Sequence, residues 1–270
     1  MTMKKYLFLL FSFVGLILLA GCNKGDYLDV NAGERPALNA YISFVNARPT
    51  ATPLHFWTFT TRVTAAGVTP NSASPYLSTV FGNVQINFTE GAGTSYKVSR
   101  QFGNQAAFNA NGGPNGPIPD YYHTVFAARK KTAFDQDTLI LFYDNLEAPA
   151  AGKVKLRFVH LAPDVPAVSL RAIRDGKDSV LFSTVDYGSA GGAILSGEQL
   201  QAFSLGPFIT LDARYSFQVR LVHTQELLPG LQRDLDRIQL QPGHIYTLFL
   251  YGLAGKTGEA GAALIEHAKS

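Results

Sequence analysis

One segment of the chain occurs twice, and this repeat limits the folds that are open to it. Residues 41–49 (YISFVNARP) align without a gap with residues 155–163 (KLRFVHLAP), at an offset of 114. A second match, at an offset of 123, aligns residues 123–126 (HTVF) with residues 246–249 (YTLF). A period above a hundred residues is too long for a solenoid or a propeller blade, so each copy should be a complete domain.

Both copies carry the pattern of short strands. The clearest example is Tyr215–Val222, in which every second residue is apolar, as in a strand with one buried face. Only Leu227–Leu235 could form a short helix, and Pro229 and Gly230 interrupt it. The other predicted strands cover residues 41–45, 54–63, 96–100, 124–128, 138–143, 154–161, 168–173, 234–240, 245–251 and 263–265.

We predict an all-β fold: two tandem immunoglobulin-like antiparallel β-sandwich domains that follow a lipoprotein signal peptide and a short tether. Roughly seven short strands per copy suit such a sandwich, and the short connections favour antiparallel pairing. The first β-sandwich repeat covers residues 40–148 and the second covers residues 153–270, with a Pro/Ala/Gly linker over Glu147–Lys153.

The first 22 residues have the layout of a lipoprotein signal. Two lysines precede the apolar run Tyr6–Ala20, and residues 19–22 (LAGC) closely resemble the bacterial lipobox. Cys22 is the sole cysteine, and its thiol can carry diacylglycerol as a thioether. A signal anchor is the alternative, but fifteen apolar residues are short for a membrane span. We therefore predict a signal peptide over residues 1–21 and lipidation of Cys22.

The segment that follows predicts where the lipid anchor goes. Residues 22–39 are polar and lack a sustained period, so we predict an acylated N-terminus and a flexible tether. Asn23 stands where an aspartate would resemble the signal for inner-membrane retention, which favours the outer membrane. Asp26 and Asp29 loosely resemble an export signal, which favours the surface over the periplasm.

Composition excludes several classes of protein. With 46% hydrophobic and 16% charged residues, the chain is too apolar to be disordered. Without the two lysines of the signal, 21 positive charges face 20 negative ones, so we expect no nucleic-acid partner. A single cysteine excludes an internal disulfide.

Three blocks of the second half carry a family likeness: residues 156–168 (LRFVHLAPDVPAV), 181–188 (LFSTVDYG) and 240–249 (LQPGHIYTLF). They resemble a bacterial extracytoplasmic family known as domain of unknown function 4397. The first half is less similar, because residues 46–49 read NARP where the second half has HLAP. The resemblance implies a tandem β-sandwich lipoprotein of Bacteroidetes-type bacteria, without an established activity or catalytic residues.

His160 and Asp164 are the best polar pair in the sequence. They lie four residues apart at a strand end and a Pro-containing turn, where imidazole and carboxylate could converge as a metal or general-base pair. Alternatively, Asp164 caps the turn and His160 covers the sandwich edge. The first repeat has neither residue, which favours this second interpretation.

Two aromatic segments are candidate ligand contacts. Trp57 lies in the segment HFWTF, and Tyr121 and Tyr122 follow a Gly/Pro-rich loop. If exposed, such rings can stack on the apolar face of a sugar. If buried, Trp57 would form the core face of a strand with Phe59 and Val63, which is the interpretation that the pattern favours. For the two tyrosines both interpretations stay open.

Other signals are weak. Residues 129–131 (RKK) could contact lipid headgroups or an acidic glycan, although a solvated turn is the commoner explanation. The remaining histidines have no ligand spacing, and no common catalytic or nucleotide-binding motif occurs. We therefore predict no catalytic residue, no metal and no cofactor.

Three functions are compatible with these features. The first is a non-enzymatic cell-envelope lipoprotein that acts as an adhesion, interaction or ligand-binding accessory module, with the membrane as its partner through Cys22. The second is a surface glycan-binding protein that uses exposed aromatic residues. The third is a hydrolase with an unrecognised site, which would need converging titratable residues in a cleft. A glycan and an envelope protein are the candidate partners.

Overall fold

The computed structural model describes residues 38–104, 116–193 and 207–268, which belong to one compact unit, Leu38–Ser270. The predicted signal peptide and the lipidation site Cys22 lie outside these ranges. Within them, no helix is long and apolar enough to cross a membrane.

The described part of the first repeat forms eight strands in two sheets. The sheet orders are β4-β1-β7-β8 and β3-β2-β5-β6. The strands are β1 (Ala40–Asn46), β2 (Leu54–Thr58), β3 (Thr61–Arg62), β4 (Leu77–Thr79), β5 (Val84–Glu90), β6 (Val98–Phe102), β7 (Tyr122–Lys130) and β8 (Ala133–Asp144).

The second repeat is built in the same way. Its sheet orders are β12-β9-β15-β16, with β13 also paired to β9, and β11-β10-β14. A helix, α1 (Pro229–Leu235), follows β14 where the first repeat has β6. The strands are β9 (Lys153–Leu161), β10 (Val168–Arg174), β11 (Lys177–Val185), β12 (Ser189–Ala190), β13 (Ile209–Asp212), β14 (Ser216–Leu221), β15 (Ile245–Tyr251) and β16 (Gly261–His267).

Each repeat contains one parallel strand pair. Ile42 of β1 lies beside His123 of β7, and Leu156 of β9 lies beside Tyr246 of β15. The offsets of 114 and 123 relate these positions, so the two repeats share one register. The all-β sandwich prediction is confirmed, but antiparallel pairing does not extend to these two pairs. Each pair joins strands near the two ends of a repeat, so the chain between them is long enough for a parallel crossover.

The structure differs from the predicted elements in several places, and the segment predicted as one strand over residues 54–63 forms β2, a turn and β3. The predicted strand over residues 234–240 is wrong, because α1 extends to Leu235 and the chain then continues without a strand. Pro229 at the first helical position starts the helix, and Leu231 and Leu235, four residues apart, face the core. The sequence analysis also missed β4, β5, β11, β12 and β13. In β5 the apolar residues alternate as a half-buried strand requires, so its pattern was present in the sequence.

The core lies in three layers. Each sandwich has its own apolar core, and a third cluster lies between the sheet that contains β1 and the sheet that contains β9. We call these two sheets the inner sheets and the other two the outer sheets. Phe44 of β1 points into its own sandwich, whereas Val45 packs in the cluster shared with Val159 and Phe249. The two repeats therefore pack inner sheet against inner sheet.

A buried ion pair lies at one end of this shared layer. Arg157 Nη1 of β9 is 2.6 Å from Asp144 Oδ1 of β8, and both side chains are fully buried. Burial alone would raise the pKa of Asp144, but the charge of Arg157 outweighs it and holds the pKa below its ordinary value. The pair therefore joins the two repeats through full charges in a dry environment.

Hydrogen bonds close this pair into a ring. Tyr76 donates its hydroxyl proton to Asp144 at 2.8 Å, so Nδ1 of His267 must donate to the Tyr76 oxygen, at 2.7 Å. Thr247 then donates to Nε2 of His267 at 2.7 Å and accepts from Nε of Arg157 at 2.9 Å. His267 is therefore neutral, and every donor in the ring is used once.

The internal repeat relates the members of the ring to one another. The offset of 123 relates Asp144 to His267 and Thr124 to Thr247. Thr124 donates to Asp144 at 2.6 Å, as Thr247 does to His267. Equivalent positions thus meet at the junction, and they carry complementary chemistry.

Replacing Arg157 with Met should lower the free energy of unfolding by about 3–5 kcal/mol, because Asp144 would stay buried without its cation. Denaturant unfolding measures this loss. The double variant Arg157→Met/Asp144→Asn should lose less than the single one, since it leaves no buried charge. Strictly additive losses would show that the two side chains do not act as a pair.

Candidate functional site

His160 is a structural anchor of the chain that follows β9. Its Nε2 lies 3.2 Å from the carbonyls of both Val165 and Pro166, and its Nδ1 accepts a hydrogen bond from the Ala162 N–H at 3.3 Å. It is completely buried. Nδ1 acts as an acceptor, so Nε2 carries the proton and the ring is neutral.

Asn46 has the same structural role in the first repeat. It is the equivalent of His160 at the offset of 114, and its Nδ2 donates to the carbonyls of Thr52 and Val68 at 3.1 Å each. Its Oδ1 accepts from the N–H of Arg48, two residues on, at 3.3 Å. An amide and an imidazole thus hold equivalent turns.

Asp164 and His160 do not form a joint ligand site. Its two carboxylate oxygens accept from the backbone N–H groups of Ala254 and Gly255, at 3.0 and 2.7 Å. It ties its turn to the β15–β16 connection. Among the described residues, no group of three or more His, Cys, Asp or Glu side chains could hold a metal ion.

Trp57 lies on the outward side of its sheet. Leu54 and Phe56 of β2 are buried in the sandwich core, whereas Trp57 is half-buried. It therefore does not form the core face with Phe59 that its sequence pattern favoured. The second repeat has Arg171 at the equivalent position.

Trp57 and Tyr96 pack against each other, and Phe59 is joined to Tyr96 through its backbone carbonyl. We call these three residues the aromatic cluster. The rings of Trp57 and Tyr96 meet edge to face at 5.8 Å. Phe59 and Tyr96 are 44% and 42% exposed. Trp57 Nε1 lies 3.4 Å from Thr89 Oγ1, which holds the half-buried indole.

Phe59 holds a strained backbone conformation at the β2–β3 turn. Its φ is +51°, which costs a bulky residue about 1–2 kcal/mol. The carbonyl of Phe59 accepts from Asn87 Nδ2 at 2.7 Å and from the Tyr96 hydroxyl at 3.1 Å, and these bonds hold the turn. Asp175, in the equivalent hairpin turn of the second repeat, has the same φ of +51°, so this turn conformation belongs to the shared fold.

Tyr121 and Tyr122 point in different directions. Tyr121 is 47% exposed and packs on Tyr143, with the ring centroids 5.4 Å apart. Tyr122 is half-buried at the repeat junction, stacked on Tyr41 at 5.1 Å. Of these two predicted contacts, only Tyr121 presents a ring to solvent.

Five charged side chains of alternating sign line an open cleft of about 580 Å³ in the first repeat. In order they are Lys97, Glu90, Arg48, Asp137 and Arg129, and we call them the ion ladder. Lys97 Nζ is 3.5 Å from Glu90, which contacts Arg48. Arg48 and Arg129 each lie 2.9 Å from a different oxygen of Asp137. The ladder therefore fixes donors and acceptors in one order, in which Arg48 and Asp137 are buried and Lys97, Glu90 and Arg129 are partly exposed.

Burial and charge act differently on the two carboxylates of the ladder. Burial raises the pKa of Asp137 above its ordinary value, despite the nearby charges of Arg48 and Arg129. Burial also acts to raise the pKa of Glu90, but the hydrogen bond and charge of Arg48 outweigh it and lower the pKa. Arg48 is 4% exposed and lies over the Phe88 ring.

The second repeat builds the same fold without this ladder. The offsets relate Arg48 to Ala162, Arg129 to Gly252 and Asp137 to Ala260. The sandwich therefore does not require these buried charges, whose desolvation is costly. The buried charges of Arg48 and Asp137 therefore distinguish the first repeat from the second.

The aromatic cluster and the ion ladder are neighbours. Trp57 pairs across the sheet with Asn87, and Asn87 pairs with Ser99, which lines the cleft. Two strand spacings separate Trp57 from Ser99, a span of about 10 Å. Tyr96 of the cluster directly precedes Lys97 of the ladder. Together they form one surface on the first repeat.

Sequence reasoning did not find the ion ladder. Its members come from four separate segments of the chain, so no local spacing joins them. One signal was present, because Arg48 interrupts the internal repeat at the position of Ala162. Asp137 and Arg129, in contrast, become neighbours only through the β7–β8 register.

The structure defines an all-β protein of two β-sandwich repeats, of which the first carries an aromatic cluster and an ion ladder. A family model described as Domain of unknown function (DUF4397) matches residues 40–171. The chain is similar to this family, as its sequence predicted. The motif over residues 156–168 lies in the matched range, whereas those over residues 181–188 and 240–249 lie outside it, and most of the match falls on the repeat whose sequence resembled the family less. The match covers the first repeat and ends within β10. No curated protein matches the chain.

Replacing His160 with Asn should change the free energy of unfolding at pH 7 by less than about 1 kcal/mol, because Asn46 makes the equivalent bonds. The pH dependence should change more. Burial lowers the pKa of His160 from 6.5 to about 4, so between these values the unfolded chain binds a proton that the folded protein does not. Stability is therefore lost as the pH falls through this window, by about 1.4 kcal/mol per pH unit.

His160→Asn should reduce the slope of the unfolding free energy against pH by about one proton near pH 5. Denaturant unfolding at several pH values measures this slope. An unchanged slope would show that His160 is protonated in the folded protein.

Proposed function

We propose that this protein is a non-enzymatic cell-envelope lipoprotein whose first repeat binds a saccharide. The observation that carries the proposal is the joint surface of the aromatic cluster and the ion ladder, which the second repeat lacks. The ligand lies across the outer sheet, with one sugar on the aromatic cluster and another in the cleft.

The aromatic cluster supports a saccharide because its rings offer what a sugar face needs. A pyranose presents an apolar face of C–H groups, which packs on an aromatic ring. Phe59 and Tyr96 are exposed enough to make such a contact. Their rigid positions, held through the Phe59 carbonyl, limit the entropy that binding costs.

The ion ladder supports a saccharide because sugars carry adjacent hydroxyls, each of which both donates and accepts. Carboxylates accept hydrogen bonds and guanidinium groups donate them. The ladder alternates these two kinds of group, and its ion pairs hold them in place before a ligand arrives. A flexible side chain would first have to lose its rotamer freedom.

A binding role agrees with how the predicted polar residues are used. His160 holds a turn through its own hydrogen bonds, and Asp164 accepts from two backbone N–H groups. Asp144 is tied to Arg157 in the buried ring. These contacts leave the joint surface as the better candidate for recognition.

The cellular location of the protein is also part of the proposal. A lipid on Cys22 anchors the chain to the outer membrane, and the polar tether places the sandwiches on the cell surface. Two or three acyl chains hold a protein on a membrane firmly, since each buried methylene contributes about 0.8 kcal/mol.

Replacing Phe59 with Asn should separate binding from folding. Asparagine tolerates a positive φ, so the free energy of unfolding should stay equal or rise by up to about 1 kcal/mol. Loss of the exposed ring should weaken saccharide binding by roughly tenfold. A glycan array probed with the full chain finds the ligand, and titration of the fluorescence of Trp57, the sole tryptophan, measures affinity.

Two further variants locate the site. Trp57→Arg copies the second repeat and should also abolish retention on the array, whereas Tyr121→Asn should leave it intact. Loss of binding in Tyr121→Asn alone would place the site at Tyr121 instead. Retention of no glycan by the native chain would overturn the saccharide proposal.

On intact cells, added protease should digest both repeats from outside. The Cys22→Ala variant should leave the membrane fraction, because it cannot be acylated. Protection of the native protein until the outer membrane is broken would overturn the surface location and direct the search to a periplasmic partner.

A further inference from the structure

We infer that the end of the first repeat at which the predicted tether enters rests on the lipid surface. The contact is made by four exposed side chains that we call the tether-end patch: Leu38, Val80, Phe81 and Tyr121. This inference rests on the lipid anchor of the proposed function and adds a second, weaker contact with the same membrane. It does not involve the saccharide surface.

Strand pairing brings the segments of the tether-end patch together. Ala40 of β1 lies opposite Thr79 of β4, so the chain before β1 and the chain after β4 leave the sheet side by side. On the other side of β1, the Tyr41 N–H donates to the Tyr121 carbonyl at 3.0 Å. The three segments therefore meet at one end of the inner sheet.

The patch is apolar and accessible. Its four side chains are between 40% and 52% exposed. Residues 38–41, 78–83 and 116–122, which form this end, include one charged residue, Asp120. A group of exposed apolar side chains marks an interaction surface, and tyrosine is enriched where a membrane meets water. The composition therefore suits a surface that enters a lipid headgroup layer.

The second repeat has the same end of the sandwich without the apolar side chains. There, Leu211 lies opposite Val154, in the register that joins Thr79 to β1. The residues equivalent to the four patch members are small or polar: Gly152, Asp212, Ala213 and His244. Asp212 forms an ion pair with Lys153. The shared fold therefore does not require an apolar surface at this end.

The position of the anchor identifies the occupant as lipid. Fifteen residues separate Cys22 from Leu38, so an acylated Cys22 keeps the patch within about 55 Å of the lipid. Towards the other end of the inner sheet, Phe134 lies about 30 Å away along β8. The anchor thus holds the patch end of the first repeat nearest to the membrane. A tethered contact needs little affinity of its own, because its effective concentration is high.

The test uses the acylated chain reconstituted into phosphatidylcholine vesicles. Phe81→Cys carries a nitrobenzoxadiazole label, whose emission rises when it leaves water. The label reacts at this position alone, because the thiol of Cys22, the sole native cysteine, is held in the thioether. We expect the emission to rise about threefold on reconstitution and to be quenched by doxyl-labelled lipids.

Phe134→Cys is the matched control, because Phe134 is 45% exposed and lies towards the other end of β8. Its label should stay in water and should not be quenched by the lipids. In the Phe81→Cys chain, Val80→Asp copies the second repeat and should reduce lipid quenching by about threefold or more, since a carboxylate opposes entry into lipid. Val80 is exposed, so denaturant unfolding should show unchanged stability.

The outcomes separate the inference from the proposed function. An acylated chain whose label at position 81 is not quenched by lipid would overturn the inference and leave saccharide binding untouched. A rise in emission without lipid quenching would indicate that a second copy of the chain covers the patch, and would also overturn it. Equal quenching at positions 81 and 134 would do the same. A protein mass that shows an unmodified Cys22 would overturn the lipid anchor and the inference with it.

Discussion

The arrangement of the two sandwiches depends on the buried ion pair between Arg157 and Asp144. Each charge loses several kcal/mol of hydration when it is buried, and only a well-placed partner offsets that loss. The apolar layer between the inner sheets has no such requirement, since apolar contacts are non-directional. The hydrogen-bonded ring through Tyr76 and His267 closes only in one alignment of the two repeats. It therefore selects that alignment from the others that apolar packing would permit.

The repeats have the same fold and different surfaces. In the second repeat, Ala162, Gly252 and Ala260 stand at the positions of Arg48, Arg129 and Asp137. Arg171 pairs with Asp178 where the first repeat has Trp57. A duplicated fold thus provides an internal control, because a feature that is missing from one copy is not required for the fold. The exposed rings of the aromatic cluster and the buried Arg48 are such features, and our proposal of a binding role rests on them. The second repeat supplies the partner surface against which the first is packed.

How far the sequence could predict each residue depended on the range of the interaction. Alternation of apolar residues predicted β14 closely, because the period of a strand is a local property. The segment that contains Trp57 is apolar at consecutive positions, so its pattern did not show which side faces the core. His160 and Asp164 looked like a pair by spacing, but their partners are backbone groups that no side-chain pattern reveals.

The sequence by itself determined the repeat, the all-β class and the family resemblance, and it carried the signals that predict a lipid anchor. These follow from periodicity and from short motifs, which are written in consecutive residues. Only the tertiary structure decided that the repeats pack through their inner sheets, that Trp57 faces outward and that the ion ladder exists. Arg48, Glu90 and Asp137 meet because strand register brings distant segments together. Register arises from the packing of the whole chain, so no local pattern could have shown it.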